Sequence, residues 1–216
     1  MSFTGLKSKD YVLFLAWALG MLITISNTSV CVTPKGVLYM PYAVVLLFDK
    51  NSDEYIREIW RTLKESGISS YMQDSGSVPH ITLSVFKELD TADADKRLIA
   101  FSEKVSKLKL VLASLGAFPT EDGVLFLAPV VTEELLRVHK AFHDLFDDLK
   151  ERQMPYYLPG SWVPHCTLAL NIPKEKVHKA LDAVIRAYKP IVAEVDRVGL
   201  VEYHPVKVLK EYKFKE

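Results

Sequence analysis

The stretches SVPHITLSVF, Ser77 to Phe86, and SWVPHCTLAL, Ser161 to Leu170, carry one pattern twice, 85 residues apart. Each reads Pro-His-apolar-Thr-Leu within a short apolar run of strand type. Proline cannot donate to a sheet ladder, so Pro79 and Pro164 mark strand starts. Alternate side chains of a strand share a face. His80, Thr82 and Phe86 are therefore expected on one face, opposite Ile81, Leu83 and Val85. Likewise His165, Thr167 and Ala169 are expected opposite Cys166, Leu168 and Leu170. A single His-x-Thr in a strand is ordinary packing. Two copies, each in its own half of the chain, require a fold that presents an imidazole beside a hydroxyl twice.

The surrounding pattern repeats with them. PYAVVLLFDK reads as a strand, and Asn51 with Glu54 resembles a helix-capping pair before Ile56, Ile59, Trp60 and Leu63 at helical spacing. Gly67 ends that helix, and QDSGS leads into the first His/Thr strand. A helix from about Thr91 to Leu108 and the strands KLVLASLGAF and GVLFLAPVV follow. Thr132 then opens TEELLRVHKAFHDLFDDLKE, whose Leu135, Val138, Phe142, Leu145, Phe146 and Leu149 form one apolar stripe. The loop QMPYYLPGSW precedes the second His/Thr strand. A helix over Pro173 to Tyr188 and the strands IVAEVDRVGLVEY and VKVLKEYKF close the chain. The order is a duplicated α+β pattern, with no P-loop and no dinucleotide-binding glycine fingerprint.

The first 39 residues stand apart from a domain expected over 40–216, with lobes at roughly 40–130 and 131–216. Tyr11 to Ile25 is continuously apolar. Three readings of it stand: a membrane anchor through residues 11–32, a signal-like segment, and a mis-assigned start with translation beginning at Met40. Membrane association is expected only if the segment is translated; otherwise the domain is expected in the cytoplasm. Elsewhere the charge is balanced, 27 basic against 27 acidic residues, so phosphate recognition has to be local. Cys31 and Cys166 are too few and too distant for a disulfide framework or a metal quartet, and suit a reducing compartment.

Two imidazoles facing each other can take a proton from a nucleophile while giving one to a leaving group. A phosphodiester bond needs both transfers. Two threonine hydroxyls can hold its non-bridging oxygens. No metal and no cofactor is required by such chemistry.

The paired motifs resemble those of the 2H phosphoesterase superfamily, with 2′-5′ RNA ligase-like proteins and RNA 2′,3′-cyclic phosphodiesterases among its members. The resemblance runs from about Met40 to the C-terminus and includes AVVLLFD and GVLFLAPVVTEELLRVHKAFH. It implies an α+β bilobal fold: two antiparallel sheets, helices outside and a central groove. It implies that His80, Thr82, His165 and Thr167 are catalytic, with His80 as base and His165 as acid. The implied substrate is an RNA end or small nucleotide bearing a 2′,3′-cyclic phosphate, and the implied enzyme a monomeric cyclic phosphodiesterase. The alternative is a non-catalytic RNA or nucleotide-binding module that uses the same groove.

Aromatic side chains near the motifs are candidates for stacking on a base: Trp162 first, then Phe86 and Tyr157. His139 and His143 lie four apart on a helix but lack the glutamate of a zinc-protease motif, and are read as partly buried edge histidines. Cys166 is expected to point into the core. The lysines Lys207, Lys210, Lys213 and Lys215 are read as protection for an edge strand.

Overall fold

The computed structural model describes residues 31–32, 38–39, 41–118, 120, 122–203 and 206–216. The apolar stretch Tyr11 to Ile25 and His204 lie outside them. Among the described residues no helix is long and apolar enough to cross a membrane.

A two-residue pair, β1 (Cys31–Val32) and β2 (Leu38–Tyr39), precedes the main body. β3 (Tyr42–Phe48) then opens a seven-stranded sheet. Both of its faces are covered, which is why YAVVLLF is apolar throughout rather than alternating. Val44, Leu46 and Phe48 meet the main core, while Ala43, Val45 and Leu47 join a smaller cluster with Val85, Met154 and Val201.

Helix α1 (Lys50–Glu65) buries Ile56, Ile59, Trp60 and Leu63. Its cap is Asp49, whose carboxylate accepts from the Asn51 and Ser52 N–H groups at 3.2 Å each. The expected cap, Asn51, lies inside the first turn instead. A charged acceptor one residue before the helix satisfies two orphan donors and complements the helix dipole. Gly67, at φ +65°, makes the left-handed turn that ends this segment.

A short helix, α2 (Tyr71–Asp74), leads to β4 (His80–Phe86). Then come α3 (Thr91–Ser102), β5 (Leu108–Phe118), β6 (Gly123–Pro129) and α4 (Glu133–Leu145). As expected, Thr132 caps α4, its hydroxyl accepting from the Leu135 N–H. Helix α3 ends at Ser102, short of the expected Leu108. A 3₁₀ turn, Lys174–Lys176, separates β7 (Cys166–Ile172) from α5 (Val177–Ala187), so this helix starts later than expected. β8 (Ile191–Glu202) and β9 (Lys207–Lys213) complete the body.

Every pairing in the sheet is antiparallel, in the order β4-β3-β8-β5-β6-β7, with β9 also on β8. The two expected sheets are joined by the long β8. Ile191 to Val195 pair with β5, while Val195 to Glu202 pair with β3 and Arg197 to Glu202 with β9. The two His/Thr strands, β4 and β7, stand at opposite ends of this order, yet they lie against each other in space.

Each motif strand is an edge strand with free carbonyls. The segment preceding the other motif covers them. Along β4, Met154 N–H donates to the Val85 carbonyl and the Trp162 indole to the Thr82 carbonyl at 2.9 Å. Along β7, the Trp60 indole donates to the Thr167 carbonyl at 3.1 Å and Ser69 to the Leu170 carbonyl. These crossed contacts satisfy otherwise exposed edges and draw the two ends of the sheet together.

Candidate active site

Register explains how each motif presents its polar pair. Val45 lies opposite Thr82, but Val44 lies opposite Ser84, so Leu83 is an extra residue. Phe126 lies opposite Thr167 and Leu125 opposite Ala169, so Leu168 is extra in the same way. Each H-x-T-L therefore ends in a β-bulge, which reverses the alternation beyond it. His80 and Thr82 share a face with their partners Leu47 and Val45. Past the bulge, Val85 takes that face and Phe86 turns to the core.

This corrects two expectations. Phe86 is 0% exposed and packs on Phe142 and Phe146, so it cannot touch a substrate. Ala169 likewise joins the main core rather than the face of His165. We expect Phe86→Leu to destabilise the fold by about 1–1.5 kcal/mol while leaving KM unchanged. Urea unfolding and steady-state kinetics check this.

The two imidazoles are set alike. His80 Nδ1 is 2.6 Å from the Val78 carbonyl and His165 Nδ1 is 2.7 Å from the Val163 carbonyl. A carbonyl only accepts, so each Nδ1 carries the proton and each Nε2 keeps its lone pair. Burial lowers the pKa of both, with His165 pushed down to about 4 and further disfavoured by His80. The influence of His80 on His165, and of the His80 backbone on the Cys166 thiol, ties the motifs at short range. Cys166 is wholly buried and its thiol is pushed up to about 12, an inert group.

The surroundings of the two motifs differ. Thr82, 7% exposed, is hydrogen-bonded to the phenols of Tyr157 and Tyr203. Burial raises both phenols, Tyr157 to about 12, so both stay protonated and able to donate. His165 instead lies against two phenyl rings, Phe118 at 4.9 Å and nearly perpendicular, and Phe126 at 5.4 Å and tilted, between ring centres. Phe126 needs Gly116 opposite it, because a Cβ there would lie 2.5 Å from its ring.

Trp162 stands under the first motif. Its N–H is spent on the Thr82 carbonyl, and one ring face stacks on His139 at 3.9 Å and 4°. Only its other face is left for a ligand. Tyr157 reaches Thr82 as a hydrogen-bonding group. His139 and His143 are more deeply buried than expected, 2% and 6% exposed. Sequence reasoning missed Tyr203, Phe118 and Phe126. Gly116 opposite Phe126 in the expected hairpin was a usable signal for the aromatic pair; nothing local marked Tyr203.

All four of these histidines are shifted below the ordinary value, burial being the first cause in each. Above about pH 6.5 neither folded nor unfolded chain protonates them. Below it the unfolded chain binds protons that the folded chain refuses, so stability falls as pH falls. We expect the urea midpoint to drop between pH 7.5 and pH 5; equal midpoints would contradict these shifts. Among the described residues no group of three or more His, Cys, Asp or Glu side chains could hold a metal ion.

The profile of the 2′-5′ RNA ligase superfamily matches residues 49–207. No individual curated protein matches. Among solved structures, TT0787 of Thermus thermophilus is similar with a TM-score of 0.56 at 17% identity, covering 81% of this chain and 98% of that one. E. coli LigT in apo form gives 0.55 at 13% identity, covering 82% and 99%. LigT complexed with 3′-AMP gives 0.53 at 13% identity, with the same coverage. With its fold matched along nearly the whole of these chains and its profile match spanning both His/Thr strands, this chain belongs to the 2′-5′ RNA ligase superfamily.

Proposed function

We propose that the protein is a metal-independent cyclic phosphodiesterase acting on RNA or nucleotide ends that bear a 2′,3′-cyclic phosphate. The observation that carries this reading is the pair of identically tethered imidazoles, His80 and His165, each with Nδ1 on a local carbonyl, which leaves the Nε2 lone pair available. Binding alone has no need of two titrating groups set in this way.

In the proposed reaction His80 Nε2 takes a proton from water, and the water oxygen bonds to phosphorus. The bond from phosphorus to the ribose 3′ oxygen breaks. His165 gives its proton to that oxygen, leaving a 2′-phosphate and a 3′-hydroxyl. Thr82 and Thr167 donate to the non-bridging oxygens. Both histidines rest neutral, so the base is ready; the acid charges when the phosphodiester's negative charge lies beside it. Tyr157 and Tyr203 hold Thr82 and keep the first motif rich in donors. Ligand-bound structures of E. coli LigT, complexed with 3′-AMP and with phosphate, support a nucleotide as occupant of the groove. The buried free thiol of Cys166 suits a reducing cytoplasm.

The test is turnover of a short RNA ending in a 2′,3′-cyclic phosphate with chelator present, the product identified by its phosphate position. A 2′-phosphate formed at an undiminished rate supports the reading. An RNA that binds but stays cyclic would replace it with a binding module. We also expect Thr82→Val and Thr167→Val each to lower kcat by about 10–100-fold, on the scale of a lost oxyanion donor or somewhat below it.

A further inference from the structure

The two motifs share one backbone device, an indole N–H on the threonine carbonyl, but the indoles are braced differently. Trp60 sits on α1, 1% exposed and fixed by the main core. Trp162 sits in the loop before β7, half-buried, with no helix or strand of its own to hold it. It packs against the margin of the main core, and His139, on α4, covers one of its ring faces. The imidazole lies flat on the indole at 3.9 Å, and its Nε2 is 2.8 Å from the Tyr157 carbonyl. As that carbonyl only accepts, His139 Nε2 is the donor. His143 completes the assembly, its Nε2 3.0 Å from His139 Nε2. His143 Nδ1 has no partner among the described residues, and nearby Gln153 accepts from Ser84 of β4 and donates to the Phe146 carbonyl just past α4.

One buried imidazole thus touches the loop at both Tyr157 and Trp162. These two residues reach Thr82 from opposite ends, the phenol on its side chain and the indole on its carbonyl. We propose that His139, supported by His143, is a positioning residue for the first motif: acting through Trp162 and Tyr157, it fixes the bulge that aims Thr82 and His80 into the groove. This rests on the phosphodiesterase reading for its kinetic consequence, though not for its geometry. Burying two polar imidazoles in a core, at 2% and 6% exposure, carries a large cost. Both imidazoles are buried, so neither touches substrate.

The test uses the full chain with His139→Ala and His139→Gln. Glutamine's amide can still donate to the Tyr157 carbonyl where alanine cannot. Two readouts are taken: kcat and KM on the cyclic-phosphate RNA, and solvent exchange of the Trp162 and Trp60 indole N–H protons by NMR. We expect His139→Ala to speed exchange of Trp162 at least tenfold with Trp60 unchanged. We expect kcat to fall about 10–100-fold, the scale of a small misplacement of reacting groups, with KM within about threefold on the same grounds. His139→Gln recovers most of the kcat loss. Wild-type protection of Trp162 in His139→Ala, or equal loss of protection at Trp60, would overturn the proposal. So would a kcat equal to wild type. If wild type leaves the RNA intact, the phosphodiesterase reading fails, and the exchange comparison still decides whether His139 fixes Trp162.

Discussion

Replacing either motif histidine by alanine is expected to lower kcat on a 2′,3′-cyclic phosphate by about 10²–10⁴-fold, the usual worth of a positioned acid or base. Each variant should stay folded. His80 and His165 are half-buried, and each spends its one ring hydrogen bond on a carbonyl two residues back in its own chain. Losing that local bond costs about 1 kcal/mol, and no other element hangs on it. The two losses should not add. Once one proton transfer is gone the other has less to do, so the double variant should be little slower than the worse single one. Kinetics beside urea midpoints separate this result from simple unfolding.

Trp60→Ala is expected to cost about 3–5 kcal/mol of stability. The side chain is among the largest that are fully buried, at the centre of the main core on α1. Its loss leaves a cavity and also strips the Thr167 carbonyl of its partner. With an ordinary denaturant slope of about 2 kcal/mol per molar urea, the midpoint should fall by roughly 2 M. Trp60→Phe keeps most of the apolar volume and removes only the donor. That variant should lose less stability yet still lower kcat, because the bulge that aims Thr167 has lost its tie. A Trp60→Phe enzyme as fast as wild type would show that the indole packs but does not aim.

Much of this was legible because it is local. The Pro-His-x-Thr-Leu repeats marked the strand starts and the four polar side chains, and helical spacing gave α1, α4 and α5 with errors only at their ends. Thr132 announced its helix correctly; Asn51 misled, because Asp49 was the better-placed acceptor. What could not be read was register. A bulge is defined by the partner strand, and nothing in HITLSVF says that Leu83 has no residue opposite it. That one unseen residue put Phe86 on the wrong face. The reciprocal bracing was invisible for a related reason. Trp60 and Trp162 each serve a carbonyl in the other half of the chain, 107 and 80 residues away. Tyr203 closes the expected strand IVAEVDRVGLVEY, and nothing in that stretch says that its phenol turns to Thr82.

The most direct single measurement is the pH dependence of kcat and kcat/KM on a cyclic-phosphate RNA, for wild type beside His80→Ala and His165→Ala. Two imidazoles that are both shifted below their ordinary range give a bell in kcat/KM with its maximum on the acid side of neutrality. The bell in kcat should lie at higher pH, because the bound phosphate's charge raises the imidazoles. Each alanine variant should lose one limb along with most of its rate. A flat wild-type profile, or a histidine variant as fast as wild type, would contradict catalysis by this pair.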